Sequence, residues 1–449
     1  MDKNELLNIL DNWNDWTGQQ DIGIPRNSYT DRLNGLIQGS NQVITITGPR
    51  RAGKSYIMRQ MGRLLSEKGV KKENILFVNF EDPRFLSLDT KLLVQIYDVY
   101  LEFLSPTDTP YIFLDEVQEV EEWEKWISVM HELKKARIIV SGSNAHLLSR
   151  ELGTLLTGRH LDLNIFPLSF TEYLMFNKLE VKTSFDVSRK RIEIKGFLRK
   201  YMESGSFPEV TLSAKKTEIL LNYFDDLVTK DLLKRYRIRK TWAMKALIKY
   251  YLSNAGNLIT FSSTEKYLDI SADTIEKFSG YLEDVYLIFQ LKRFSYRVKD
   301  QEKSPRKIYA IDTGLCNTLG FRFSQNIGRL AENIVYLALK RKQVHNPQIE
   351  LFYWKDAQHR EVDFVVKDGL DTMNLIQVCW NMHDERTKKR ELRSLQKAIK
   401  ELKVTNALII TDDTEGEEIL NGFTVKTMPL WKWLLSEKDE AVKNLNIIE

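Results

Sequence analysis

Residues Ile46–Met58 read ITGPRRAGKSYIM, and this stretch constrains the fold more than any other. Gly48, Gly53, Lys54 and Ser55 fit the spacing G-x-x-x-x-G-K-[ST]. Upstream, Val43-Ile44-Thr45-Ile46 is a β-branched run suited to a buried strand. Downstream, Tyr56 to Met61 has apolar positions spaced for one helix face. Glycines between a strand and a helix let backbone wrap phosphate oxygens, and the helix N-terminus adds partial positive charge. The candidate cradle is Gly48, Pro49, Arg50, Arg51, Ala52, Gly53, Lys54, Ser55 and Tyr56. Lys54 would pair with the β- and γ-phosphates of ATP, and Ser55 would hold Mg²⁺. Arg50 and Arg51 lie inside the loop, either solvated or touching phosphate.

At 449 residues the chain has room for roughly three domains. Its 43% hydrophobic content supports several packed cores. The net charge of +4 is too small for bulk charge to choose a partner. The two cysteines, Cys316 and Cys379, stand far apart, which argues against a zinc site or a disulfide framework and fits a reducing compartment. The start, MDKNELLNILDNWNDW, is acidic and amphipathic, unlike a signal peptide. No apolar run approaches the ~18 residues of a membrane span. A soluble, cytoplasmic protein without membrane contact is expected.

From Val43 to Ser143 strands alternate with helices, as in a parallel sheet covered on both faces. Tyr111–Leu114 is a short apolar strand ending in Asp115-Glu116. An acidic pair there suits Mg²⁺ ordering by Asp115 and polarisation of an attacking water by Glu116. Ser143 or Asn144, after the next strand, is the candidate polar sensor, although turn chemistry predicts the same residues. Arg159 is either a surface arginine or a finger reaching a neighbouring subunit. Thr171 to Tyr236 reads as mostly helical. Trp242–Asn254, Ser262–Leu268 and Ser271–Val285 read as three helices, followed by two strands, Leu287–Leu291 and Lys307–Ala310. Three helices and a β-ribbon make a winged helix-turn-helix pattern.

GPRRAGKS, YIFLDEVQ, VSGSNAHLLSRELGTLLTGR and IFPLSFTEYL, followed by SGSFPEV, KIYAIDTGL, REVDFVV, LIQVCWN and TKKRE, resemble one family. It is the prokaryotic AAA+-superfamily P-loop ATPases of the AAA-14 type with a C-terminal DUF4143 module. The resemblance runs from about Ile24 to Thr411. It implies an α/β multidomain chain: an N-terminal helical extension (1–30), a P-loop core of the ASCE class (31–170), a helical lid (171–240), a winged helix (241–325) and a restriction-endonuclease-like domain (326–449). On that likeness Lys54, Ser55, Asp115 and Glu116 bind and hydrolyse nucleotide.

The last domain is related, through the resemblance, to PD-(D/E)xK nucleases. Asp363 fits the first acid and Glu332 the accessory acid, but Gln377 and Cys379 stand where an acid and a lysine belong. A neutral amide holds a hard cation poorly and a thiol is uncharged at pH 7, so nuclease activity is not expected. Lys355 or Lys388 could take the missing role.

Basic residues gather in three stretches, Lys230–Lys240, Lys292–Lys307 and Arg386–Lys400, the second interleaved with Phe294 and Tyr296. Each is either a solvated face or a phosphate-binding surface. The combined expectation is an Mg²⁺-dependent ATPase acting on DNA, an oligomeric motor of helicase or branched-DNA translocase type. Its rivals are a nucleotide-controlled switch binding protein or promoter through the winged helix, and an ATP-gated nuclease.

Overall fold

The computed structural model describes residues 2–14, 16, 21–144, 158–320, 327–369, 372–420 and 422–436. The segment AHLLSRELGTLLT of the family-like stretch, including Thr157, lies outside them, as do the end of the expected winged helix and the chain beyond 436. The chain divides into two compact units, Met1–Phe166 with Asp284–Tyr286, and Pro167–Glu283 with Leu287–Glu449.

The first unit holds β1 (Val43–Thr47), β2 (Ile75–Asn79), β3 (Tyr111–Asp115), β4 (Arg137–Gly142) and β5 (His160–Asn164). They form one parallel sheet in the order β2-β3-β4-β1-β5. β1 is buried along its whole length, as expected of a central strand covered on both faces. The sequence reading missed β5. Its alternation of apolar and polar residues lacks the continuous apolar run of the central strands, because β5 lies at the sheet edge.

The other edge, β2, is closed by the N-terminal extension. Helix Lys3–Trp13 begins with a capping box between Asp2 and Glu5 and buries Leu6, Ile9 and Leu10 in the sheet's core. At its end the Asn14 side chain accepts from the Phe77 amide (2.7 Å) and donates to the Phe77 carbonyl (2.9 Å). That amide group satisfies the exposed backbone of an edge strand.

The second unit opens with helices Phe170–Phe176, Arg191–Ser204 and Lys216–Asp226, the last continuing into a π-helical segment, Leu227–Lys234. Helix Thr241–Ser253, β6 (Leu258–Ile259), helices Phe261–Leu268 and Ala272–Asp284, β7 (Ile288–Leu291) and β8 (Arg306–Ala310) follow. The strands pair antiparallel in the order β6-β8-β7. After helix Ile327–His345 come β9 (Ile349–Lys355), β10 (Glu361–Asp368) and β11 (Thr372–Val378), then helix Glu385–Leu402 and β12 (Asn406–Thr411). β13 (Gly416–Leu420), β14 (Phe423–Pro429) and helix Leu430–Ser436 extend the sheet beyond what the sequence reading anticipated. The mixed sheet runs β13-β14-β12-β11-β10-β9. No helix among the described residues is long and apolar enough to cross a membrane.

Two family-like motifs, SGSFPEV and AIDTGL, form a clasp in this unit. Asp312 is fully buried and accepts from the Ser206 amide (2.6 Å), the Ser206 hydroxyl (3.2 Å) and the Leu315 amide (3.3 Å). Gly205 has φ +76°, and a Cβ there would meet Asp312 Oδ1 at 1.9 Å, so only glycine fits. Burial pushes the Asp312 carboxyl up to about 6, against the donors that favour its charged form. A raised carboxyl stabilises the fold most below its unfolded value of 3.8 and loses that contribution as pH rises through about 6. We expect Asp312→Ala, which strands three buried donors, to lower unfolding free energy by about 2–4 kcal/mol in urea titrations. Wild type should lose stability between pH 4 and 6, and the variant should lose less.

Candidate nucleotide site and carboxylate cluster

β1 ends at Thr47, and the chain turns at Gly48 with φ +145°. A Cβ on Gly48 would sit 2.2 Å from the Ile165 carbonyl oxygen. Gly53, at φ +98°, is the N-cap of helix Lys54–Glu67, and no side chain caps that helix. Its first-turn amides are therefore left for an anion. Lys54 is 4% exposed, its ammonium 3.2 Å from the Gly48 carbonyl, 3.3 Å from that of Pro49 and 3.4 Å from Glu116 Oε1.

The acids arrive from β3. The order β3-β4-β1 leaves one strand between them and the loop, and that strand supplies Ser141. The Ser141 hydroxyl donates to Asp115 Oδ1 and accepts from the Glu116 amide (3.1 Å). Gln118 Nε2 donates to Glu116 Oε2 (2.6 Å). Ser55 lies close enough to Asp115 to favour its charged form, which puts both candidate Mg²⁺ ligands together. Burial, then the Glu116 charge, raises the Asp115 carboxyl, against the hydrogen bond from Ser141 and the nearby Ser55 hydroxyl. Burial would raise Glu116 too, but the charges of Lys54 and Arg50 and the hydrogen bond from Gln118 hold it below its ordinary value. Glu116 thus stays charged, while Asp115 has the excess negative potential that a divalent cation would relieve. An uncapped helix start, a buried ammonium and a Ser–Asp pair fit Mg²⁺ and a nucleotide polyphosphate.

Ser143 and Asn144 follow β4 and are buried. The Ser143 hydroxyl makes no hydrogen bond among the described residues, an orphan at the tip of the strand between acids and loop. In the rest of the cradle, Pro49 and Ala52 are buried, Arg50 pairs with Glu81, Arg51 is exposed at φ +66°, and Tyr56 is exposed beside Arg59. Arg159 is not brought to the loop in its own chain. Its carbonyl accepts from the amide of Val43 (3.1 Å), which opens β1 at the end opposite the loop, and its guanidinium pairs with Glu132 at 2.6 Å.

Two residues that build this site carry no signal in the sequence. Arg26, 2% exposed, donates to the carbonyls of Ala52 (2.8 Å) and Phe166 (3.0 Å) and lies over the Tyr29 ring. It props the loop from behind. The Tyr286 hydroxyl lies 2.7 Å from Thr47 Oγ1 and 2.9 Å from Asn164 Oδ1, at the base of the loop. These pairings span long stretches of chain, so no local spacing announces them.

A second set of buried charges lies in the other unit. Lys307 of β8 is 2% exposed, and its ammonium is 2.8 Å from Glu332 Oε1, 2.8 Å from Glu361 Oε1 and 2.7 Å from Asp363 Oδ1. It therefore leaves the basic face to which the sequence reading assigned it. Tyr309 donates to Glu332 (2.6 Å), and the Val378 amide to Asp363 Oδ2 (2.8 Å). Gln377 accepts from the Asp363 amide (3.1 Å) and donates to Glu391 (2.9 Å). Cys379 is buried and its thiol is pushed up to about 12, by burial first and then by Glu391. Lys355 reaches the rim, 3.3 Å from Glu361, while Lys388 pairs with Glu418. Burial alone would lower Lys307, but Asp363, Glu332 and Glu361 hold its ammonium well above its ordinary value. Burial, then the Asp363 charge, raises Glu332 to about 7.

The three basic stretches differ in how far they are neutralised. In the first, Lys230 pairs with Asp226 and Arg235 with Asp231. In the second, Lys292 and Arg306 share Glu302, Arg293 donates to the Lys355 carbonyl, and Phe294 is packed in the core beneath helix Glu385–Leu402 while Tyr296 stays exposed. The third is a helix with two faces. Leu395, Ala398, Ile399 and Leu402 are buried, while Arg386, Lys389, Arg393, Lys397 and Lys400 recur at intervals of three and four, with Arg390 next to Lys389. Gln358 and Arg360, from the β9–β10 loop, line the same groove. Among the described residues no ion pair involves Arg386, Lys389, Arg393, Lys397 or Lys400.

We expect Arg26→Ala, which removes the guanidinium donor from the Ala52 and Phe166 carbonyls, to lower unfolding free energy by about 2–4 kcal/mol. It should also weaken nucleotide binding about tenfold in a fluorescent-ATP titration, since the loop loses its support.

Residues 40–174 match the profile of an AAA domain of the AAA-14 type, residues 196–326 that of DUF8612 and residues 327–433 that of DUF4143, the last two being domains of unknown function. An uncharacterised protein of Methanocaldococcus jannaschii is 34% identical over 411 residues, covering 88% of this chain and 89% of its own. Another, from Haemophilus influenzae, is 28% identical over 408 residues, covering 88% and 97%. Among solved structures, the chain is similar to a Walker-type ATPase of Pyrococcus abyssi, with 12% identity, a TM-score of 0.44, and coverage of 66% of this chain and 95% of that one. It is also similar to AMPPCP-bound DnaA from Aquifex aeolicus, with 14% identity, a TM-score of 0.25, and coverage of 57% and 87%. With a relative 34% identical over 88% of this chain, and with AAA-14 and DUF4143 profiles on either side of DUF8612, the chain belongs to the AAA-14/DUF4143 family of AAA+ P-loop ATPases.

Proposed function

We propose that this protein is an Mg²⁺-dependent ATPase whose turnover is coupled to DNA. The nucleotide half rests on Lys54, Ser55, Asp115 and Glu116 meeting at one end of the parallel sheet. The loop from Gly48 to Tyr56 would take the phosphates, with Lys54 against the β- and γ-groups and Ser55 and Asp115 on the metal. Mg²⁺, when bound, supplies the positive charge that offsets the phosphate oxygens. Glu116, kept charged by Lys54 and Arg50, accepts a hydrogen bond from the attacking water. Ser143 and Asn144 sense the terminal phosphate. Arg159, directed away from its own loop, serves a neighbouring copy, so a homo-oligomer is part of the proposal.

The DNA half is carried by one observation, the unpaired cation stripe on helix Glu385–Leu402 and the groove beside it. Five cations on one face, with no ion pair among the described residues, suit a phosphate backbone. The helix, strand, helix, helix and ribbon order of residues 241–310 supports a winged helix. Its ribbon is tied to the C-terminal sheet, where the Phe294 amide donates to the Tyr353 carbonyl at 2.7 Å, which favours a connector over a DNA-inserting wing. A motor of helicase or branched-DNA type is the concrete form.

The test is ATP turnover without nucleic acid and with single-stranded, duplex and four-way-junction DNA, at low and high salt. We expect one form of DNA to stimulate turnover several-fold, with the effect lost at high salt. Arg393→Glu with Lys397→Glu should abolish stimulation and leave basal turnover unchanged, whereas Lys54→Ala should abolish both. Equal rates under all conditions would contradict the coupling and leave a protein-directed switch.

A further inference from the structure

We propose that the chain's own Lys307 ammonium fills the carboxylate cradle of Glu332, Glu361 and Asp363 and keeps metal ions out of it. It would join β8 to the C-terminal sheet instead of holding a catalytic metal.

The geometry is that of a closed site. An ammonium has three N–H donors, and three carboxylates from two separate elements, helix Ile327–His345 and β10, lie 2.7–2.8 Å from Lys307 Nζ. The distances are those of charge-assisted N–H···O bonds, longer than the ~2.0–2.1 Å of Mg²⁺–oxygen contacts. Other oxygens of the cradle are engaged as well. Tyr309 donates to Glu332, the Val378 amide to Asp363, and Lys355 pairs with the second oxygen of Glu361. Gln377, at the position where a nuclease-type centre needs an acid, is committed to the Asp363 amide and to Glu391. Among the described residues no group of three or more His, Cys, Asp or Glu side chains is set to hold a metal ion.

The charge balance agrees. Three buried carboxylates without a cation would repel one another strongly, and a buried ammonium alone would lose its proton. Each is tolerated because the other is present. Lys307 comes from β8, Glu332 from the helix after it, and Glu361 and Asp363 from β10. The cluster therefore ties the three-stranded sheet to the six-stranded one, alongside the backbone hydrogen bonds that Lys292 and Phe294, just after β7, make with Tyr353 of β9.

Removing the ammonium should open the cradle to a divalent ion. Mn²⁺ would be titrated into the nucleotide-free full-length chain and free Mn²⁺ read by electron paramagnetic resonance. Wild type and Asp363→Asn should bind the same amount. Lys307→Met should gain one site per chain, and Lys307→Met with Asp363→Asn should lose that site, with about tenfold weaker binding. Mn²⁺ taken up near Asp115 and Glu116 contributes equally to all four proteins. A wild-type site that disappears in Asp363→Asn, with or without plasmid nicking, would overturn the proposal, since Lys307 would then be a lysine that yields to metal. So would a folded Lys307→Met protein that gains nothing. If Lys307→Met is insoluble, the wild-type comparison with Asp363→Asn still decides, with equal binding expected.

Discussion

Parallel pairing of β3 with β4 and of β4 with β1 is the constraint on which the nucleotide site depends. It sets Asp115 and Glu116 one strand away from the loop that follows Thr47, so that Lys54 comes within 3.4 Å of Glu116 without either residue moving on a flexible segment. The same pairing puts Ser141 between the acids, where it receives the Glu116 amide and donates to Asp115. Three adjacent strands, β3, β4 and β1, supply the parts of the site. Supports from outside the sheet, Arg26 and Tyr286, hold the loop's back and base. A site on strand ends braced in this way is preorganised for the charge that develops in phosphoryl transfer.

Buried charge follows one rule in both units. The buried ammonium groups of Lys54 and Lys307 lie beside carboxylates, and the buried Asp312 carboxyl lies where several donors meet it. Lys54 with Glu116, Lys307 with its three acids, and Asp312 with the Ser206 and Leu315 donors are three forms of that compensation. They differ in consequence. The first keeps an acid charged beside a loop built for anions. The second satisfies a cation-type site from within the chain. The third fastens two helical segments and has no catalytic geometry about it.

Much of the first unit was legible in the sequence, because a β-branched run, a glycine-lysine-serine loop and an acid pair after an apolar strand each report a local requirement. The central strands of the parallel sheet announce themselves by continuous apolar runs. β5, an edge strand with alternating polarity, does not, nor does the Asn14 amide that seals the opposite edge. Arg26 and Tyr286 were invisible because their partners are distant in the chain. The basic residues around β8 showed the limit of reading charge without topology. Lys307 counts as one more cation in a basic run, yet the alternation of β8 turns it inward to Glu332, Glu361 and Asp363. The basic face of helix Glu385–Leu402 was easier to read, since a period of three and four leaves its cations on the side opposite Leu395 and Ile399.

The most direct test of the account is equilibrium binding of a fluorescent ATP analogue to the full-length chain, with and without Mg²⁺, in wild type, Lys54→Ala and Asp115→Asn. The account predicts Mg²⁺-strengthened binding in wild type, loss of most affinity in Lys54→Ala, and loss of the Mg²⁺ effect alone in Asp115→Asn. Binding of equal strength in all three, or binding indifferent to Mg²⁺ in wild type, would contradict the placement of nucleotide and metal at the end of β1 and β3.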